Sequence, residues 1–217
     1  MNRFIPMIAA ALIALGGGAY FMSQNNGTVP GVSLAMAEDA AVEPAKDMVM
    51  GDENAPVTVI EYASYTCPHC ANWHEDVFTK LKADYIDTGK VKFIHREVFF
   101  DRFGLWAGMI ARCGGDMRYF GLNDLIYSTQ KEWIGEGDPT LILENLRKIG
   151  RKAGMSNEEM DSCMGDEKFA QSLVAAYQTN ATADEINSTP SFIIGGEKFS
   201  NMSYEDFAAA IDAKLAE

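Results

Sequence analysis

At 217 residues, with 47% hydrophobic and 23% charged side chains and no low-complexity tract or internal repeat, the chain can bury one sizeable core with an insertion and does not have the composition of a disordered protein. Lys and Arg number 18 against 31 Asp and Glu, a formal net charge of −13. Phosphate backbones are held by basic patches, so this balance argues against nucleic acid as a partner.

The chain opens on a targeting pattern. Arg3 is the only charge before Glu38, and residues 5–22 form a run of about 18 uncharged, mostly apolar residues, near the lower limit for crossing a bilayer. A short basic start followed by an apolar run is an export signal. Ala35-Met36-Ala37 has the form of a cleavage site but lies well past the apolar run, and the polar, Gly/Asn-rich residues 24–30 suit a tether. Residues 1–37 are therefore expected to be either a cleaved signal peptide or a retained N-terminal membrane anchor. Both readings put the folded part outside the cytoplasm, in the periplasm or another extracytoplasmic space. Cys67, Cys70, Cys113 and Cys163 make an even count, which in an exported chain favours disulfides over free thiols.

Residues 38–50 read as a linker, acidic and Ala/Pro-rich at first, with a short edge strand at 48–50. Residues 51–56 carry turn chemistry. Residues 57–62 are β-branched and nearly continuous in apolar character, as in a strand buried on both faces. Thr66-Cys67-Pro68-His69-Cys70 follows and opens a helix, in which Trp73, Val77, Leu81 and Tyr85 recur at four-residue steps until Thr88-Gly89 stops it. Residues 91–100 form the next strand, giving a β-α-β unit with a parallel, right-handed crossover. From 102 to about 183 the pattern is helical. Phe103, Trp106, Ile110 and Cys113 fall on one helix, ended by Gly114-Gly115, and Tyr119, Leu122 and Ile126 on a second. Asp138-Pro139 starts a third that Gly150 is expected to close, Ser156 with Glu159 forms a capping box, and Phe169, Leu173 and Tyr177 mark a last helix. Strand character returns at 191–194, Gly195-Gly196 is a hairpin signal, and Ser203 caps a final helix with Phe207, Ile211 and Leu215 facing inward. The expected organisation is α/β: 51–101, a helical insertion at 102–183, then 184–217.

The chemistry concentrates at the two cysteines. If Cys67 begins the helix, the unsatisfied N–H groups and positive dipole end favour its thiolate, and a cationic His69 would act in the same direction. Cys70, one turn on, is within disulfide reach but less accessible. Cys67 is then the attacking and leaving sulfur and Cys70 the resolving thiol. Stabilising the thiolate stabilises the reduced pair and makes the disulfide a stronger oxidant. A C-x-x-C also occurs in zinc sites, and Cys67, Cys70 and His74 with one further ligand would be such a set; a local structural disulfide is the third reading. No second ligand pair lies nearby in sequence. Glu61 stands in an apolar strand, where a carboxylate is costly unless it is paired or protonated, or unless it sits at the strand end and reaches water. Trp106, Trp133 and His95 read as structural residues.

Cys67-Pro68-His69-Cys70, the lead-in over residues 51–62, Thr189-Pro190 and the run of helices between them together resemble the DsbA family of thiol:disulfide oxidoreductases. The resemblance covers residues 48–215 and implies a thioredoxin-like fold (β-α-β … β-β-α) with an inserted all-helical domain. It implies that Cys67 forms mixed disulfides with reduced, unfolded exported proteins, that Pro68 and His69 tune it, and that Thr189 and a cis Pro190 hold the substrate backbone. It further implies that a DsbB-like membrane protein re-oxidises the pair, and that Glu61 matches the family's buried acid and relays a proton for Cys70. Cys113 and Cys163, alternatively two buried free thiols, match a second disulfide carried by some branches. No cofactor or metal is implied. Thr189 stands where the enterobacterial oxidase has valine and isomerases of the wider family often have threonine, so isomerase or reductase remains an alternative to oxidase. Isomerases usually oligomerise through an added N-terminal domain, for which residues 38–51 are short, and a monomeric oxidase is expected. A non-catalytic chaperone that grips peptides is the reading from another class.

Overall fold

In the computed structural model, residues 42–217 are described; the expected signal or anchor at 1–37 and the first linker residues lie outside them. Five strands form one mixed sheet in the order β1-β3-β2-β4-β5, with β1 Met48–Met50, β2 Val57–Ala63, β3 Val91–Glu97, β4 Ser191–Ile194 and β5 Glu197–Ser200. β2 and β3 run parallel, and every other pairing is antiparallel. The stretch expected as a linker is docked from Ala45 onward: its N–H donates to the Ser172 carbonyl, and Asp47 takes two 2.9 Å hydrogen bonds from Arg96.

The helical run after the Cys pair starts as α1 (Pro68–Trp73) and continues through a π-helical turn (His74–Phe78), α2 (Thr79–Leu81) and a second π-helical turn (Lys82–Ile86). In a pure α-helix, four-residue steps drift by about 40° each. The wider π turns absorb that drift, and Trp73, Val77, Leu81 and Tyr85 all stay buried. They pack with Val57, Val59, Phe93, Phe192 and Phe207 on one face of the sheet. The last of these belongs to the C-terminal helix Tyr204–Leu215, capped by Ser203.

Between β3 and β4 lie α3 (Arg102–Cys113), α4 (Asp116–Ser128), α5 (Gln130–Ile134), α6 (Pro139–Lys152), α7 (Asn157–Met164) and α8 (Glu167–Ala183); the C-terminal helix is α9. Asp138 and the Ser156/Glu159 box cap α6 and α7. Gly150 does not close α6. It is buried inside the helix, which runs on to Lys152, and the positive φ of 82° falls at Gly154 instead. α3 to α7 enclose their own core around Ile110, Tyr119, Leu122, Ile126, Trp133 and Leu146, into which Tyr65 and Cys70 project. Trp106 is only half-buried, its ring edge-on to Phe103 and under the Arg102 guanidinium, so it borders the core instead of filling it. α8 lies on the second face of the sheet, where Ala181 and Tyr177 meet Tyr62 and Val98. A Cys113–Cys163 disulfide joins α3 to α7 with a Cα–Cα distance of 5.9 Å.

Candidate active site

β2 ends in the loop 64–66, which delivers Cys67 to the N-cap position of α1 in extended geometry (φ −85°, ψ 117°), with Pro68 at the first helical position. The loop is held from two sides. Thr66 Oγ1 donates to Asp101 Oδ2 at 2.7 Å, and the other Asp101 oxygen caps α3 through Phe103 N and Gly104 N. Gln130 Nε2, from α5, donates to the carbonyls of Tyr65 (2.8 Å) and Cys67 (2.9 Å). The insertion therefore fixes the backbone under the reactive sulfur.

Cys67 and Cys70 are both thiols in this structure, Cys67 half-buried and Cys70 fully buried. Their acidities diverge. A hydrogen bond from the Cys70 thiol is the largest influence on Cys67; with bonds from the Thr189 side chain and the Cys70 and His69 backbone N–H groups, it outweighs partial burial and pulls Cys67 down to about 5. Burial, then the hydrogen bond to Cys67 and the charges of Cys67 and Glu61, push the Cys70 thiol far up. His69 acts through its backbone, its side chain being exposed. Thr189-Pro190 is a cis bond, Pro190 is buried, and the Thr189 carbonyl lies 3.5 Å from Cys67 Sγ.

Behind Cys70 is a buried polar cluster. Glu61 does not reach water: it is 0% exposed, beside His95 (0%) on the paired strand β3 and facing His74 (4%) from the helix. His74 Nε2 sits 3.0 and 3.1 Å from the two Glu61 oxygens, and His95 Nε2 lies 3.9 Å from Oε2. Tyr119 gives its hydroxyl proton to Glu97 (2.8 Å), so at 2.6 Å His95 Nδ1 must be the donor to Tyr119. That tautomer leaves Nε2 as acceptor for the Tyr127 hydroxyl at 3.3 Å. Burial pushes His95 below its usual value and keeps it neutral. Glu97 in turn takes two 2.7 Å bonds from Arg112, which with its other partners holds its carboxyl low against burial.

Glu61, His74 and His95 form the one group among the described residues whose ligand atoms converge, within 4.8 Å of one another. His74 is already bonded to Glu61, and both His95 nitrogens to Tyr119 and Tyr127, so we assign no metal to them. The zinc set Cys67, Cys70 and His74 does not gather, because His74 turns its ring nitrogen to Glu61. Tyr119, Tyr127, Asp101 and Gln130 carry no site signal in the sequence, where His74 is read only as a possible zinc ligand. Only His74 left a trace there, being one helical turn from Cys70.

A family model described as thioredoxin matches residues 43–213. A Rickettsia bellii protein provisionally named as a protein-disulfide oxidoreductase is 37% identical over 79% of this chain and 65% of its own length, and one from Rickettsia typhi is 36% identical over 78% and 62%. The chain thus spans less than two thirds of these relatives. Disulfide bond formation protein D of Bacillus subtilis is 26% identical over 77% of this chain and 76% of its own. Among solved structures, alpha-DsbA1 of Wolbachia pipientis superposes with a TM-score of 0.72 at 29% identity, covering 81% of this chain and 94% of that one.

Proposed function

Because the chain belongs to the thioredoxin family, we propose that it is a thiol:disulfide oxidoreductase of the DsbA type, which introduces disulfides into exported proteins through Cys67 and Cys70. The observation that carries this is the contrast between the two sulfurs: Cys67 is half-exposed at the helix N-cap with its thiol drawn down, and Cys70 is fully buried behind it and hard to ionise.

The steps follow from that asymmetry. A substrate thiolate attacks Cys67 of the Cys67–Cys70 disulfide, and Cys70 leaves. As a poor thiolate Cys70 must gain a proton, and Glu61, whose charge is felt at Cys70, is the buried acid that exchanges it. A second substrate thiolate then attacks the substrate sulfur of the mixed disulfide and expels Cys67, the better leaving group. The substrate gains a disulfide and the enzyme holds two electrons, which a DsbB-like membrane partner would accept. Thr189 and Pro190, against Cys67, are proposed to hold the substrate backbone, Pro68 and His69 to shape the helix start, and the Cys113–Cys163 bond to brace the insertion. We place the protein outside the cytoplasm, as a monomer with residues 1–37 as signal or tether; among the described residues no helix is long and apolar enough to cross a membrane.

The test is the equilibrium of Cys67–Cys70 with glutathione, joined to oxidative refolding of a reduced protein. An oxidase has a pair that is strongly oxidising and transfers its own disulfide stoichiometrically. A strongly reducing pair would sink the reading in favour of a reductase. Aggregation suppression equal in Cys67→Ser/Cys70→Ser protein, with no transfer by the native one, would mark a chaperone. Glu61→Gln is expected to slow Cys70-dependent exchange by on the order of 100-fold; an unchanged rate and pH profile would remove Glu61 from the mechanism.

A further inference from the structure

If Glu61 takes the proton from Cys70, that proton, or an equivalent one, must reach solvent from a carboxylate that has no exposure of its own. Three observations bear on the route. His74 Nε2 contacts both Glu61 oxygens. The other ring nitrogen, Nδ1, is buried and has no hydrogen-bond partner among the protein groups. His74 also lines a cleft of about 420 Å³ between α1 and the insertion, with Asp124, Ser128, Gln130 and Lys131 among its walls. One nitrogen is thus committed to the buried acid, and the other is buried and unpartnered in a residue that lines the cleft.

We propose that His74 is the proton outlet of the Cys70–Glu61 pair: as the Cys70 thiol passes its proton to Glu61, the His74 imidazolium loses its anionic partner and sheds a proton from Nδ1 into the cleft. The inference rests on Glu61 as proton acceptor and adds where the charge goes. In the dithiol form the pair is a Glu61 carboxylate with a His74 imidazolium. On closure the Cys70 sulfur attacks Cys67 of the mixed disulfide, the Cys67–Cys70 bond forms, and the bonding pair departs with the leaving thiolate. The Cys70 proton is then on Glu61, one proton has gone from Nδ1 to cleft water, and His74 is neutral with Nε2–H still on Glu61. Re-reduction runs the same transfers backwards.

The Glu61–His74 pair has zero net charge in both forms, which is the arrangement a buried site tolerates. No proton has to cross the imidazole ring, so the ring never needs to flip. The other titratable or charged groups around the pair are Cys67 and Cys70 on α1, Glu97 beside His95 on β3, Tyr65 in the loop, Arg112 on α3, Tyr119, Asp124 and Tyr127 on α4, and Glu75, Lys131 and Glu132 in the cleft. His74 acts through Glu61 and is a positioning residue.

The test isolates the Cys70 step. Reduced protein is mixed with Ellman's reagent, and the closure of the Cys67 mixed disulfide by Cys70 is followed by stopped flow across pH, with an indicator dye reporting proton release. His74→Gln is expected to slow closure by on the order of 10-fold or more near neutral pH, steepen its pH dependence, and recover with added imidazole, while Cys67 alkylation is unchanged. Glu61→Gln is expected to be slow and not recoverable by imidazole. If Glu61→Gln is slow while His74→Gln keeps the native rate and pH profile, this inference fails and the Glu61 reading stands. If Glu61→Gln is as fast as the native protein, both fail. A His74→Gln loss with the native pH profile and no response to imidazole is a packing effect and also overturns the inference. Should the variant not fold, ¹⁵N NMR of the native imidazole decides: His74 is expected to be doubly protonated in the dithiol form and singly protonated at Nε2 in the disulfide form, and one unchanged state in both would refute it.

Discussion

Cys67 carries the most direct residue-scale consequence of the site. With its thiol drawn down to about 5, the rate of iodoacetamide alkylation of reduced protein should be flat at neutral pH and fall with a midpoint near 5. A midpoint near that of a free thiol, about 8.5, would contradict the hydrogen-bond account. Thr189→Val removes the Thr189 hydroxyl, one of the groups that draw Cys67 down, and is expected to move that midpoint upward. The same shift is linked to stability. Cys67 is depressed in the folded dithiol form, so its contribution is complete above the unfolded pKa and disappears as pH falls through about 5. The disulfide form lacks the group altogether. The dithiol form should therefore lose stability relative to the disulfide form as pH is lowered to 5. At neutral pH the contribution is about 1–2 kcal/mol once solvent screening at a half-exposed sulfur is allowed for. Denaturant melts of both redox forms from pH 5 to 8 read the difference directly. The placement of Cys67 and Cys70 at the helix start was legible because a C-x-x-C at a strand-to-helix junction has few physical meanings. His74 was not, since a histidine four positions on carries no sign of which strand it will face.

At the scale of elements, the helices and strands that announce themselves by caps and periodicity lie where the chain predicts them, because those signals are local: Asp138-Pro139, the Ser156/Glu159 box and Ser203 each bond within their own first turn. What periodicity could not convey is how the helix after Cys70 keeps a strict four-residue stripe on one face, for which two π turns are needed. Nor could it show α5 reaching back to the active-site loop. Gln130 bonds to carbonyls 65 and 63 positions earlier, and a contact at that separation leaves no periodic trace. Gln130→Ala strips a buried partner from the Tyr65 carbonyl and is expected to cost about 1–3 kcal/mol, measured as a lower urea midpoint. The turn before β2 is similarly constrained: Gly51 has φ +94°, and a Cβ there would lie 2.7 Å from the Val91 carbonyl. Gly51→Ala should therefore destabilise by about 1–3 kcal/mol.

For the whole molecule, Cys113–Cys163 is the long-range tie. It closes a loop across a sequence separation of 50, and Cys113→Ser/Cys163→Ser is expected to lower stability by about 2–4 kcal/mol while leaving the Cys67 alkylation profile in place. Loss of the Cys67 profile would mean that the bond also shapes the site. The even cysteine count favours disulfides and the family resemblance implies this pairing, but neither distinguishes a bond from two buried thiols, since α3 and α7 meet only in the folded insertion. Under the proposed function, the tie would make the protein one of its own kind of product: four thiols leave the ribosome, and two of them must be joined to give the described structure. A thiol count on denatured protein is thus a record of where the sample has been. Under the proposed function, four would mark a chain kept in a reducing space, two a chain with the Cys113–Cys163 bond and a reduced Cys67–Cys70 pair, and none a chain with both disulfides formed.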